Sequence, residues 1–401
     1  MVIVGAGMAG ARAVIALRAA DYKGPITLIG EELHLPYDRP PLSKASITSE
    51  EAPAPILLLD EDQLRSLNAI FINHTKAVKL DVKAKTVALS NGQSVAYDKL
   101  LIATGAKPRR LTIPGGEHAI VLRDFPDAEV LRAKFKPGKK IAIIGGGFIG
   151  LELAASARKL GCDVTLIEAQ PRILMRGVPE AIAKIVHDKH ISEGVNILTG
   201  TGLARLEAQA VHLADGRVIP ADTMIAGIGA APEVSLAAEA GLKIDNGIVC
   251  DEHLRTSAPD VYAAGDCCNF PHGMFGGRRT RLETWRSATD QANTAVANML
   301  GGSVVHHALP WFWSDQHDLT LQIAGMGDLG IKTVTRQLSP EAFIIFHITD
   351  EGRLVGASGI GPGNSIGRDV KLTEMLIAKG ISPSAAQLAD PNIALKSLLK
   401  G

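Results

Sequence analysis

The sequence predicts an α/β fold of two doubly wound lobes followed by a smaller α+β domain, and three observations carry that prediction. Gly5-Ala6-Gly7-Met8-Ala9-Gly10 follows the apolar run Val2-Ile3-Val4. Gly145-Gly146-Gly147-Phe148-Ile149-Gly150 follows Ile141-Ala142-Ile143-Ile144 in the same way. Each is Gly-x-Gly-x-x-Gly between a predicted strand and a predicted helix, the context in which the pattern marks a Rossmann-like dinucleotide-binding unit. From Pro310 onward the pattern turns β-rich with one late helix near residues 369–379, which predicts the third domain. In each glycine loop the first Gly permits a tight turn, and the second admits backbone N–H groups to a pyrophosphate. The third lets the helix pack close to the strand. Two dinucleotides on one chain imply a hydride relay in which one cofactor reduces the other.

The elements follow in order. Residues 9–20 read as the first helix, and Gly24-Pro25 leads into the strand Ile26-Thr27-Leu28-Ile29. A Pro-rich loop comes next, from Leu35-Pro36-Tyr37-Asp38-Arg39 through Pro40-Pro41-Leu42-Ser43-Lys44. Alternating apolar residues between 77 and 101, among them Val87, Leu89 and Val95, predict a meander of short strands. Leu100-Leu101-Ile102-Ala103-Thr104-Gly105 reads as a buried strand with a glycine stop, and residues 108–114 as the crossing into the second lobe. That lobe repeats the scheme at 141–168 and ends near Ile228-Gly229-Ala230. The chain then returns to the first lobe. The expected domains are 1–109 with 242–308, 110–241, and 309–401.

Composition excludes several classes. The 401 residues suffice for two or three domains, and 46% apolar content supports sizeable cores. Lys plus Arg and Asp plus Glu balance at 42 each, so no global charge points to nucleic acid or a membrane surface. Met1 leads directly into strand residues and no long apolar span exists, so the expectation is a soluble cytoplasmic protein. Of the four cysteines, Cys162, Cys250, Cys267 and Cys268, none forms Cys-x-x-Cys. Adjacent Cys267 and Cys268 do not easily form an unstrained disulfide, so buried thiols are expected rather than a dithiol relay. No metal site is expected.

Particular residues carry the chemistry. Glu168 ends the strand after the second glycine loop, where an acid accepts from a ribose hydroxyl. It would repel a 2′-phosphate, which favours NADH over NADPH; Arg172 and Arg176 stand nearby and could hold such a phosphate. In the first unit Gly30 holds the equivalent place, and Glu31 is assigned to an adenosine ribose. Arg39 and Lys44 could neutralise a pyrophosphate, although their spacing fits an ordinary surface loop equally well. Gly265-Asp266 follows an apolar strand, where Gly permits close backbone approach.

These runs together resemble one family. Residues 28–32, 36–44, 103–105, 145–152, 256–266, 281–285 and 311–316 are similar, in order, to FAD-dependent NADH:ferredoxin reductases. Those enzymes serve bacterial Rieske-type aromatic-ring dioxygenases and haem monooxygenases. The resemblance implies a glutathione-reductase-like architecture with FAD and NAD as cofactors. It implies FAD contacts at Gly5, Gly7, Met8, Ala9, Gly10, Glu31, Arg39, Lys44, Ala77, Ala103, Thr104, Gly105, Arg123 and Asp266. Thr284 and Trp285 would open a helix aimed at the flavin pyrimidine edge, and Trp313 would shield the ring. Relatives often carry Asn where this chain has Ser287. On the NAD side it implies Gly145, Gly147, Phe148, Ile149, Gly150, Glu168 and Arg176, with Ile228 and Gly229 lining the nicotinamide face. Glu152 would orient the nicotinamide amide; with Lys44 and Trp285 it makes up the expected catalytic set.

The function implied is transfer of hydride from NADH to FAD and of single electrons to a 2Fe–2S ferredoxin, whose cluster belongs to the partner. A dithiol reductase lacks its cysteines here, and a single-cysteine oxidase lacks its Cys where Pro41-Leu42-Ser43 stand. A rubredoxin reductase and a non-turnover redox sensor stay open. Arg278, Arg279 and Arg281 could attract an acidic ferredoxin or form an ordinary solvated run.

Overall fold

A computed structural model describes residues 1–400, which fall into two compact units. The first comprises Met1–Asp38, Pro55–Lys107 and Ala231–Pro310. The second comprises Arg39–Ala54, Pro108–Ala230 and, among the described residues, 311–400. The return to the first unit thus begins at Ala231. The sheet after Pro310, read from the sequence as a separate domain, clusters with the second unit, as does Arg39–Ala54.

The first unit is built on a parallel sheet in the order Val261–Ala263, Leu100–Ile102, Val2–Val4, Ile26–Ile29, Ala69–Ile72. Strand order reverses at Val2–Val4, the place where open α/β sheets bind ligands at their carboxyl ends. The helix Met8–Ala19 follows, rich in alanine, with Ala13, Val14 and Leu17 buried on one face. Helix Trp285–Met299 packs on it, and its small residues Ala288, Ala292 and Ala295 are buried. The predicted meander forms as Ala77–Asp81, Thr86–Leu89 and Ser94–Ala96.

The second unit repeats the plan. Its parallel sheet runs Asn196–Leu198, Asp163–Ile167, Lys140–Ile144, Thr223–Ala226, Ala119–Ile120. Helix Phe148–Lys159 has twelve residues, like its counterpart in the first unit. A five-stranded antiparallel sheet follows in the order Trp311–Gln316, Leu319–Gly325, Leu354–Pro362, Ala342–Ile348, Lys332–Ser339. Helix Gly367–Ala378 covers it, as the β-rich pattern with a late helix predicts. Among the described residues no helix is long and apolar enough to cross a membrane.

Buried histidines set an acid limit on stability. Burial pushes the imidazoles of His190 and His306 down to about 4, and lowers those of His272, His317 and His347. An unfolded histidine takes its proton near 6.5. The stability held by these neutral rings is therefore complete above about pH 6.5 and drains as the pH falls towards 4. His190 and His306 each contribute on the order of 3 kcal/mol to that loss. The thermal midpoint of the holoprotein is expected to fall steeply between pH 6.5 and 4.5, and less steeply in His306→Asn. An unchanged slope in that variant would remove His306 from the account.

Candidate active site

The parallel register gathers four of the predicted segments in the first unit. Val4 pairs with Ile29 and Ile102, and Ile102 with Ala263. The glycine loop, Glu31, Ala103-Thr104-Gly105 and Gly265-Asp266 therefore all leave from the carboxyl ends of adjacent strands. Gly5 has φ +109°, a conformation other residues rarely adopt, and a Cβ there would lie 2.1 Å from the Ala103 carbonyl oxygen. A Cβ on Gly10 would lie 1.9 Å from the Gly5 oxygen, whereas one on Gly7 would meet nothing within 4 Å. The loop is closed where helix meets strand and open where a phosphate would sit.

The second unit reproduces these features. Gly145 has φ +110°, and its N–H donates to the Ile167 carbonyl at 2.8 Å, as that of Gly5 does to Ile29. A Cβ on Gly150 would lie 2.1 Å from the Gly145 oxygen, and one on Gly147 would again meet nothing. Ile144 pairs with Ile167 and Ala226, which brings Glu168 and the run Gly227-Ile228-Gly229 beside the loop. Gly229 is itself in the left-handed region at φ +98°.

Both helices start at a glycine N-cap with no side-chain cap and no acid in the first turn. Four other helices carry side-chain caps, among them Glu61–Ser66 and Phe125–Lys134, where Asp60 and Asp124 close capping boxes, whereas Glu180–Ser192 and Gly367–Ala378 also start without one. The N–H groups left without side-chain partners at Met8–Ala19 and Phe148–Lys159, with the positive end of each helix dipole, suit an anion. The residues present fit a dinucleotide pyrophosphate at each loop.

Around the first loop, Thr104 Oγ1 donates to the Glu233 carbonyl at 2.6 Å. Glu31 is largely exposed, 3.7 Å from Lys76. Ala77 opens the first strand of the meander. The Gly265 N–H donates to Gln291 Oε1 at 2.8 Å, and Gln291 Nε2 donates to Ser287 Oγ at 2.8 Å. Ser287 thus serves Gln291, and Gln291 fixes the turn that carries Asp266. Thr284 caps its helix through Oγ1, which accepts from the Ser287 N–H at 3.2 Å. Trp285 Nε1 donates to Asp38 Oδ1 at 2.8 Å, and the Arg12 guanidinium lies 6.0 Å from the indole centroid. Arg279 donates to the carbonyls of Cys250 and Asn269, and Arg281 pairs with Glu283, so these two arginines already hold the hairpin and its neighbours.

In the second unit Glu168 Oε2 accepts from the Gly146 N–H and Oε1 from the Gln170 N–H, both at 2.7 Å. Two amides hold the carboxylate at the strand end. The Arg172 guanidinium donates to the carbonyls of Ile173, Leu174, Met175 and Val178, which ties up its donors inside one loop. That loop touches the glycine turn, since the Leu174 N–H donates to the Gly146 carbonyl at 2.9 Å, and it leaves Arg176 exposed. Ile149, at the start of the helix, is 46% exposed, an apolar surface beside the uncapped amides.

Arg39 and Lys44 also lie in the second unit. Arg39 Nη1 donates to the Arg123 carbonyl at 2.5 Å. Lys44 Nζ lies 2.8 Å from Glu152 Oε2. The buried Glu152 carboxylate accepts twice more, from Ser43 Oγ at 2.5 Å and Ser314 Oγ at 2.6 Å. Phe148 packs against Phe312, and Trp313 stacks on Trp311 with centroids 5.2 Å apart. Sequence reasoning named Glu152 and Lys44 as separate members of the site and missed Ser43, Ser314 and Gln291. The one local signal was Ser314 and Gln316 alternating in an aromatic strand, polar residues at buried positions of period two.

All four cysteines are buried and unpaired, and burial pushes the Cys267 thiol up to about 11 and raises that of Cys268. Thiols of this kind stay protonated and unreactive.

Residues 1–292 match the family described as pyridine nucleotide-disulphide oxidoreductase, and residues 311–399 match the reductase C-terminal family. The chain belongs to the pyridine nucleotide-disulphide oxidoreductase family. It is 38% identical to the anthranilate 1,2-dioxygenase system ferredoxin–NAD(+) reductase component of Burkholderia cepacia, over 99% of this chain and 98% of that one. It is 42% identical to a rubredoxin–NAD(+) reductase of Pseudomonas putida, over 82% of this chain and 86% of that one. The crystal structure of the covalent putidaredoxin reductase–putidaredoxin complex superposes with a TM-score of 0.93 at 32% identity, covering 100% of this chain and 97% of that one.

Proposed function

We propose that the chain is an NADH-dependent flavoprotein reductase that passes single electrons to a 2Fe–2S ferredoxin supplying an oxygenase. The observation that carries the reading is the pair of equivalent, uncapped glycine loops in a chain without a reactive thiol. The end-to-end likeness to a dioxygenase-system reductase supports it. Bound FAD supplies the conversion of a two-electron donor into one-electron steps.

The chain's own residues bind and orient. Backbone N–H groups at 7–10 receive the FAD pyrophosphate, with Glu31 and Asp266 as further FAD partners. Those at 147–150 receive the NADH pyrophosphate, and Glu168 accepts from the adenosine ribose. Glu152, held by Ser43, Lys44 and Ser314, orients the nicotinamide amide, and the backbone at Ile228-Gly229 lines the same face. No side chain has to move a proton between donor and acceptor, so the rate rests on positioning. The reading places the protein in the cytoplasm, where NADH is made.

The rubredoxin reductase relative favours a second acceptor. Anaerobic NADH-driven reduction of a 2Fe–2S ferredoxin beside a rubredoxin separates the two. Ferredoxin is expected to be faster by about tenfold or more in kcat/KM, roughly 1.4 kcal/mol. Parity or a rubredoxin preference would move the chain to the second group, and no turnover with either would leave only the sensor reading.

A further inference from the structure

We propose that Gln316 and His190 are positioning residues for Glu152: a one-way chain of hydrogen bonds runs from His317 through His190, Gln316 and Ser314 to the carboxylate and fixes its orientation. The proposal rests on the assignment of Glu152 to the nicotinamide face.

The direction follows from donor counting. Ser314 Oγ lies 2.6 Å from Glu152 Oε1, and since a carboxylate only accepts, the single hydroxyl hydrogen of Ser314 points there. Ser314 must then accept from its other neighbour, Gln316, whose Nε2 is 3.1 Å away. This settles which way the amide faces, a choice that coordinates alone do not make. Gln316 Oε1 is left towards His190 Nε2 at 3.0 Å, so that nitrogen carries the hydrogen. A neutral His190 then has a bare Nδ1, which accepts from His317 Nε2 at 3.2 Å. Every hydrogen in the chain points towards Glu152.

The chain is inside the second unit, and its three inner members are buried. Ser314, Gln316 and His190 are 1%, 3% and 0% exposed. Burial holds His190 neutral down to about 4, so its tautomer persists across the working range. The titratable and charged groups facing the two rings are His187, Glu193, Lys189, Asp318 and Arg158, of both signs. Ser43 and Lys44 fix Oε2 from the other side. A buried polar network satisfied at every member holds one arrangement, and removing a link frees the rest to turn.

The test uses the holoenzyme and two variants that break the chain at successive links, Gln316→Met and Ser314→Ala, each also combined with Glu152→Ala. Nitrogen-15 histidine NMR reads the tautomers, and steady-state kinetics read kcat and KM for NADH. The wild type is expected to show His190 as the Nε2–H tautomer near neutral pH, with that preference lost in Gln316→Met. Either single variant is expected to lower kcat/KM about tenfold, mostly through kcat, and to add less than about twofold in the Glu152→Ala background. An Nδ1–H tautomer in the wild type would overturn the chain's direction. Equal losses with and without Glu152 would reduce Gln316 to packing and overturn the positioning role. A Glu152→Ala enzyme with wild-type kcat/KM would overturn the nicotinamide assignment and this proposal together.

Discussion

Gly150→Ala is expected to leave the flavin bound and abolish NADH oxidation, whereas Gly10→Ala is expected to give a chain without flavin. The reason is steric and the same at both sites. The added Cβ would stand 2.1 Å from the Gly145 oxygen in one case and 1.9 Å from the Gly5 oxygen in the other. Those atoms are backbone at the strand-to-helix turn, so the helix must move away from its strand and take its N–H groups with it. A misplacement of about 1 Å costs on the order of a hundredfold in a positioned reaction. The partners lost are charge-assisted hydrogen bonds to a pyrophosphate, among the stronger ones in proteins. Flavin-to-protein absorbance, NADH oxidation and circular dichroism together read the outcome. A folded Gly10→Ala protein with full flavin occupancy would mean that the loops have been assigned in the wrong order.

The second large effect is on coenzyme choice. Glu168→Ser is expected to narrow the preference for NADH over NADPH, because it removes an acceptor for the ribose hydroxyl and a charge that repels a phosphate. Loss of a charge-assisted hydrogen bond costs about 1.5–3 kcal/mol, which is roughly ten- to hundredfold in kcat/KM for NADH. The structure sharpens the expectation. Arg172 spends its guanidinium on four backbone carbonyls, so among the two loop arginines only Arg176 faces outward to meet a 2′-phosphate. Glu168→Ser with Arg176→Ala should therefore weaken NADH without gaining NADPH. Equal use of both coenzymes by the unaltered enzyme would contradict the role of Glu168.

Much of this was legible in the chain because it is written locally. The glycine loops need glycine at fixed offsets for backbone reasons, and Gly5 and Gly145 share nearly the same φ. Thr284 at the N-cap of Trp285–Met299 and the alternation behind the meander at 77–96 are likewise short-range patterns. What the sequence did not disclose depends on residues far apart. Glu152 meets Ser43 across 109 positions and Ser314 across 162, and no spacing rule links them. Gln291 reaches Gly265 from another element, so the departure at Ser287 raised a question that only its bond to Gln291 answers. The grouping of Arg39–Ala54 with the second unit was hidden for the same reason: a Pro-rich loop carries little periodicity to say which core it joins.

In the function proposed above, electrons leave the chain without visiting a thiol, although the family takes its name from disulphide chemistry. Cys267 and Cys268 follow Asp266 directly, and both are fully buried. The most direct measurement is anaerobic NADH-driven ferredoxin reduction by the Cys267→Ser/Cys268→Ser variant, with flavin content measured on the same sample. A rate within about threefold of wild type is expected, roughly 0.7 kcal/mol of barrier. A small loss is allowed for the packing of two buried thiols that act as apolar groups. Collapse of the rate with flavin fully retained would contradict the proposed function, because a thiol would then be carrying the electrons.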